Sequence, residues 1–248
     1  MPVLDAAALT LFALCWLMYA PFLKALGRRG GYINSDMTVV RRRWMLNMAA
    51  RDNRFLDSQL IGHAINSASF FASSNLIVIA AAAGVLFGGD TAFRSMERLA
   101  GVAPIPHWLF QVKLGLVVVV LARGFLDFIW ALRQMNYCLA VIGAAPPHDA
   151  EPRLRDAYGD AAAQVLNPSL SAFNTGVRGY YFALAAAAWL AGPAPFALVS
   201  VGAVTLLVLR QSASGSARGI RTLRLVLDEL GPVERQTSPD PTEAREGD

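Results

Sequence analysis

Apolar residues in this 248-residue chain gather in long runs separated by short charged segments. A hydrocarbon core about 30 Å thick is crossed by roughly 20 helical residues, so runs of this length predict membrane-spanning helices. Shorter patterns with alternating or 3.6-residue periodicity are instead typical of strands and of soluble amphipathic helices. The five predicted spans are 4–26, 67–87, 107–132, 176–191 and 195–210.

The last two spans come from dividing one apolar stretch. Residues 179–209 form a run that would be a helix of about 46 Å, longer than a membrane requires. Gly192-Pro193-Ala194-Pro195 interrupts its middle. Because proline removes a backbone donor and clashes with the preceding turn, two helices joined by a tight hairpin are predicted. One kinked helix is the alternative.

The distribution of Lys and Arg tests this topology independently, because cytosolic loops of membrane proteins carry an excess of Lys and Arg. The first, third and C-terminal polar segments hold eight, four and six basic residues. The N-terminal tail, the second loop and the Gly-Pro-Ala-Pro hairpin hold none, two and none. Five spans with the N-terminus outside place 18 basic residues in the cytosol and two outside.

Two segments outside the spans have their own patterns. Residues 36–66 combine arginines with Trp, Met, Phe and Leu at near-helical spacing, which predicts an amphipathic helix at the headgroups leading into the second span. Residues 153–172 are a weaker helical candidate, broken near Asn167-Pro168. Residues 231–248 are polar and charged and are predicted to be a disordered tail. Residues 1–230 are predicted to form a single transmembrane domain.

Composition agrees with a membrane protein. Apolar residues make up 55% of the chain and charged residues only 16%, against about a quarter in soluble domains. The net charge of +4 is confined to short segments beside apolar runs, which does not resemble a nucleic-acid-binding face. The N-terminus lacks the basic region of a cleaved signal peptide, so the first span is expected to remain. The predicted fold is an all-α integral membrane protein, a five-helix transmembrane bundle with a cytosolic amphipathic interfacial helix.

Charged residues inside a span need a partner or a wet cavity, because a lone charge at mid-membrane costs about 3 kcal/mol. Arg123 and Asp127 stand four residues apart on one face of the third span. They are either an ion, proton or headgroup site, or a pair that neutralises itself while packing against neighbouring helices.

Polar residues also enter the second span. Asp57, His63 and Asn66 are expected to lie near one helical face, where His63 could relay a proton. The alternative is that they bridge helices by hydrogen bonds. No metal or cofactor motif is present in the sequence, so no cofactor is expected.

A second polar group is predicted on the cytosolic side. Arg133, Asn136 and Tyr137 follow the third span, and Arg178 opens the fourth. They could form a cluster under the bundle that acts on lipid headgroups, or they could simply anchor the helices at the interface.

Four segments resemble a known family. They read RRRWMLNMAARDNRFLDSQLIG, NSASFFASS, LRQMNYCLAVIGAAP and FNTGVRGYYFALA. They are similar to the "domain of unknown function 599" membrane family over about residues 5–230. The resemblance implies a bacterial inner-membrane protein with several spans, and it implies no activity or catalytic residue.

Three functions compete on this evidence. The first is a non-catalytic membrane subunit or scaffold that contacts anionic lipid headgroups or a membrane-protein partner, including a second copy of itself. The second is a small oligomeric transporter or channel that uses Arg123, Asp127 and His63. The third is a lipid-modifying enzyme built on the cytosolic Arg, Asn and Tyr residues.

Overall fold

The computed structural model describes residues 3–27, 33–89 and 106–230, with side chains described outside 24–27. The predicted tail at 231–248 and the second loop, with Arg94 and Arg98, lie outside the described residues. Within the described ranges the chain is helical, without a strand. The helices are α1 (Val3–Gly27), α2 (Ile33–Ala50), α3 (Phe55–Phe87), α4 (His107–Gly143), α5 (Pro152–Ala188), α6 (Pro193–Ser212) and α7 (Gly215–Glu229), with a short 3-10 turn (Trp189–Ala191) after α5.

Four helical segments of the described chain are long and apolar enough to cross a membrane. They are Val3–Leu23, Phe55–Phe87, His107–Gly143 and the stretch that begins at Pro193. These overlap four of the five predicted spans, and the first predicted span, 4–26, extends three residues beyond Leu23. The predicted span 176–191 is the last part of α5 with the 3-10 turn, and α5 is not among these four segments.

The hairpin at Gly192 is present. Gly192 has φ +127° and ψ 172°, a conformation open to glycine, and α6 begins at the next residue. The Trp189 ring stacks on Phe196 at 4.9 Å, and the Arg210 Nη1 donates to the Tyr181 hydroxyl at 2.7 Å. Because contacts occur near both ends of α6, α5 and α6 are antiparallel neighbours, and the single kinked helix is wrong.

Two hydrophobic cores follow each other along the bundle. The aromatic core lies toward the Gly192 turn, between α1, α4, α5 and α6, and contains Phe12, Tyr19, Phe182, Trp189 and Phe196. The methionine core lies at the other end, between α2, α3, α4 and α5, and contains Met45, Met48, Met135, Ala163 and Leu166. Since α4 has 37 residues and is therefore about 56 Å long, it contributes to both cores.

Helices α4 and α5 approach each other closely between these cores. A Cβ added to Gly176 would lie 2.7 Å from the Phe128 ring, and one added to Gly179 would lie 3.4 Å from the Gly124 Cα. The Asn75 side chain on α3 donates to the Leu121 carbonyl at 2.9 Å. Small residues and buried side-chain hydrogen bonds of this kind are how helices associate in lipid, where apolar surfaces alone give no preference.

Two predicted helix boundaries are wrong. A single helix over 36–66 is interrupted at residues 51–54, where the Arg54 side chain donates to the Met48 and Ala49 carbonyls at 3.3 and 3.4 Å and so ends α2. The apolar side of α2 contributes to the methionine core, so this side is covered by protein. The break predicted at Pro168 is absent, because α5 continues through it. Packing against α4 offsets the cost of a proline inside a helix, about 3 kcal/mol.

Candidate functional site

A cleft of about 330 Å³ lies between α1, α4 and α5. We call it the charged cleft, because Arg123, Asp127 and Arg178 line it together. The Arg123 Nη2 lies 3.1 Å from the Asp127 Oδ1, so the predicted i,i+4 ion pair forms. Arg123 is 60% exposed on its side chain, whereas Asp127 is 14% exposed. The carboxylate therefore faces the cleft and its partner reaches outward.

Arg178 is held in place by its own surroundings. Its Nη2 donates to the Thr175 hydroxyl at 2.7 Å, and its guanidinium lies 5.9 Å from the centre of the Tyr19 ring. A guanidinium over an aromatic face at this distance is attracted by the ring quadrupole. Neither contact neutralises its charge.

Arg178 also lines a second cavity, which we call the arginine pocket. This pocket, of about 250 Å³, lies between α2, α5 and α6. Its lining brings Arg41 and Arg210 close to Arg178, and none of its described lining residues is acidic. The remaining polar lining residues are Asn34, Asn174, Tyr181 and Gln211.

Arg41 is the most buried arginine of this pocket. It is 6% exposed, and its Nε has no hydrogen-bond partner in the described part of the chain. Burial lowers the pKa of the Arg41 guanidinium, because the charged form loses hydration. A buried cation without a carboxylate is costly unless an anion compensates it.

The predicted shared face of Asp57, His63 and Asn66 is wrong. Asp57 is fully buried, and His63 and Asn66 are exposed on the outer side of α3. Residues in an α-helix are about 100° apart, so spacings of six and nine residues place His63 and Asn66 on other sides of the helix. Neither lines the charged cleft or the arginine pocket.

The predicted cluster of Arg133, Asn136 and Tyr137 with Arg178 is not formed. The first three are exposed, and they lie within α4 because this helix continues to Gly143. The Arg133 Nε donates to the Tyr137 hydroxyl at 2.7 Å, which is a local i,i+4 contact. None of the three lines the cavities that Arg178 lines. The geometry therefore removes the reason for expecting headgroup chemistry there.

A buried ion pair near the Gly192 turn was missed by sequence reasoning. Asp5 is 4% exposed and Lys113 is 2% exposed, and their charged groups lie 3.6 Å apart. The Trp189 Nε1 donates to Asp5 at 2.6 Å, and the Lys113 ammonium lies 5.7 Å from the centre of the same indole ring. The sequence contained a signal for this pair, because each charged residue stands alone in an apolar run and therefore requires a partner.

Buried carboxylates of the methionine-core end also join helices. Asp57 accepts from the Trp44 Nε1 at 2.7 Å and from the Arg51 Nη1 at 2.6 Å, which ties α2 to α3. Asp36 accepts from the Arg224 Nη1 at 2.6 Å, which ties α2 to α7. Among the described residues, no group of three His, Cys, Asp or Glu side chains could hold a metal ion.

Together these features define a multi-pass, all-α membrane protein with long apolar helices and, within its described residues, two cavities that arginines line. The model of the family described as "Protein of unknown function, DUF599" matches residues 7–216. The chain belongs to this family, which confirms the resemblance, and both cavities lie within the matched residues. No curated protein and no solved structure matches the chain.

Proposed function

We propose that the chain spans the bacterial inner membrane five times, with the N-terminus outside and the C-terminus in the cytosol, and that it serves as a non-catalytic subunit or scaffold. The fourth span, the one that is absent from the four long apolar segments, is the part of α5 that lies antiparallel to α6. Since α6 is apolar enough to cross a membrane and α5 contacts it near both ends, the two cross together. Neighbouring helices shield the polar residues of α5 from lipid.

The orientation rests on charge. The segments that this topology places in the cytosol carry 18 basic residues, against two on the other side. The methionine core then lies in or below the cytosolic headgroup layer, and the Asp5–Lys113 pair lies near the outer surface.

The observation that supports a scaffold is that the buried carboxylates hold helices together. Asp5, Asp36 and Asp57 each accept a hydrogen bond from a different helix or turn. A catalytic or transporting carboxylate has to exchange its proton or ligand, whereas these three fix helices to one another. Their arrangement supports a rigid body that presents lipid- and partner-facing surfaces.

Cysteine labelling tests the topology. Single cysteines at Ala194, in the hairpin, and at Arg218, on α7, are introduced after Cys15 and Cys138 are replaced by alanine. An impermeant maleimide added to cells with an opened outer membrane is expected to label Ala194→Cys at once. It is expected to label Arg218→Cys only after the inner membrane is permeabilised. Labelling of both from the same side contradicts the passage of α6 across the membrane.

Partner retention tests the scaffold. The full chain is extracted together with its surrounding bilayer in polymer discs, and an unrelated multi-span protein is extracted in parallel. A protein or anionic lipid retained in stoichiometric amount, and absent from the parallel sample, is the expected result. A monomer without such a component refutes the scaffold function.

A small transporter is the second candidate, because the charged cleft contains an acidic side chain between three helices. Proton flux into proteoliposomes, read by an enclosed pH-sensitive dye, measures this function. The transporter predicts a flux above that of empty liposomes which is lost in Asp127→Asn. Flux that is equal in the variant and the parent removes Asp127 from the pathway.

A further inference from the structure

Three arginines converge in the arginine pocket, whose described lining contains no carboxylate. Arg41 comes from α2, Arg178 from α5 and Arg210 from the last turn of α6. The described part of the lining therefore carries three positive charges. Arg178 and Arg210 each contact a hydroxyl group and an aromatic ring. These neutral contacts orient the guanidinium groups but do not compensate their charge. Arg178 also lines the charged cleft beside Asp127, so Arg41 and Arg210 are the two arginines that line the arginine pocket alone.

The buried polar groups of the pocket point to a ligand. Among the described residues, the Arg41 Nε is buried without a hydrogen-bond partner, and so are the side-chain oxygens of Asn34 and Gln211. A carboxamide exchanges its oxygen and nitrogen by a half rotation, so both side chains can also donate. Water-excluded donors that lack acceptors are costly. An anion held by the Arg41 guanidinium would compensate this buried positive charge.

The guanidinium groups, the size and the position of the pocket indicate which class of anion would fit it. A guanidinium presents a planar fork that suits phosphate oxygens. The volume of about 250 Å³ is below the range of drug-sized ligand sites, about 300–1,000 Å³, so it suits a small anion or a headgroup. In the proposed topology the last turn of α6 reaches the cytosolic headgroup layer, where lipid phosphates lie.

We propose that Arg41, Arg178 and Arg210 bind a phosphate group, supplied either by an anionic phospholipid headgroup or by a soluble phosphate compound. Arg41 is the central ligand and Arg210 closes the exposed side. The lipid source rests on the proposed topology, whereas the soluble source does not. Cysteine labelling at Ala194 and Arg218 therefore separates a wrong topology from a wrong ligand.

Two measurements on the full chain distinguish the sources. Native mass spectrometry from detergent measures retained phosphatidylglycerol against phosphatidylcholine. Titration calorimetry measures binding of inorganic phosphate to protein in phosphatidylcholine discs. The variants are Arg41→Gln and Arg210→Gln, and Arg218→Gln is the control, because it removes one charge from the exposed surface of α7 outside the pocket.

Selective retention of phosphatidylglycerol identifies a lipid, and phosphate binding in the neutral discs identifies a soluble source. In either case Arg41→Gln and Arg210→Gln are expected to weaken binding roughly tenfold, while Arg218→Gln changes it less than about twofold. Arg210 lies at the exposed rim, so its variant remains informative if Arg41→Gln does not fold. Absence of both ligands, or equal losses in the pocket variants and the control, overturns the proposal.

Discussion

The Asp5–Lys113 pair gives the sharpest test of how this bundle is stabilised. The change is Asp5→Asn, which keeps an oxygen that accepts from the Trp189 Nε1 and removes only the negative charge. Lys113, 2% exposed, then stays buried without its counter-ion. At the observed separation of 3.6 Å, Coulomb attraction with an effective dielectric constant of about 20 is about 4–5 kcal/mol.

We therefore expect Asp5→Asn to lower the free energy of unfolding by about 3–5 kcal/mol, as for other buried pairs that lose one partner. Lys113→Met is expected to cost less, about 1–3 kcal/mol, because Asp5 keeps its indole donor. The double variant, Asp5→Asn with Lys113→Met, buries no unpaired charge. Its free energy of unfolding is therefore expected to lie within about 1 kcal/mol of the parent value. The assay is a reversible SDS titration in mixed micelles, followed by near-ultraviolet circular dichroism.

The double-mutant cycle decides between two explanations. A coupling of at least about 2 kcal/mol shows that the two charges stabilise the fold as a pair. If the two single losses simply add in the double variant, then each residue acts through packing alone and the reasoning is refuted.

Three further predictions use the same titration. Gly176→Ala is expected to cost about 1–3 kcal/mol, because its Cβ would lie 2.7 Å from the Phe128 ring, and adding Phe128→Leu is expected to recover part of this loss. Asp57→Ala is expected to cost about 2–4 kcal/mol, since a buried carboxylate with two donors is removed. Arg42→Gln is expected to cost less than about 1 kcal/mol at neutral pH, because both side chains of its pair with Asp160 are exposed. The Arg42 hydrogen bond lowers the pKa of Asp160, so this contribution is present above the ordinary carboxyl value of about 3.9 and is lost as pH falls through the lower folded-state value.

Distinct outcomes contradict these three predictions. An unchanged midpoint for Gly176→Ala shows that α4 and α5 separate without cost. An Asp57→Ala variant as stable as the parent shows that α2 is held by its apolar contacts alone. A difference between Arg42→Gln and the parent that grows toward low pH reverses the sign of the linkage and excludes the ion pair as its cause.

Local chemistry determined much of the architecture. The apolar runs predicted where long helices lie, because the thickness of the hydrocarbon core sets how many apolar residues one spanning helix needs. The break at Gly192 was predictable, because proline and glycine act on the backbone within a residue or two. The Arg123–Asp127 pair was predictable as well, because residues four apart on a helix are neighbours in any fold.

The other features of the fold and of the two cavities depend on tertiary packing, because their contacts join residues that are far apart in sequence. Helix α5 continues through Pro168 since α4 packs against it, and no local pattern reports that support. Asp5 and Lys113 each appeared as an isolated charge until folding placed them 3.6 Å apart. Arg41, Arg178 and Arg210 come from three separate helices, so the pocket they share is a property of helix packing and not of any single segment.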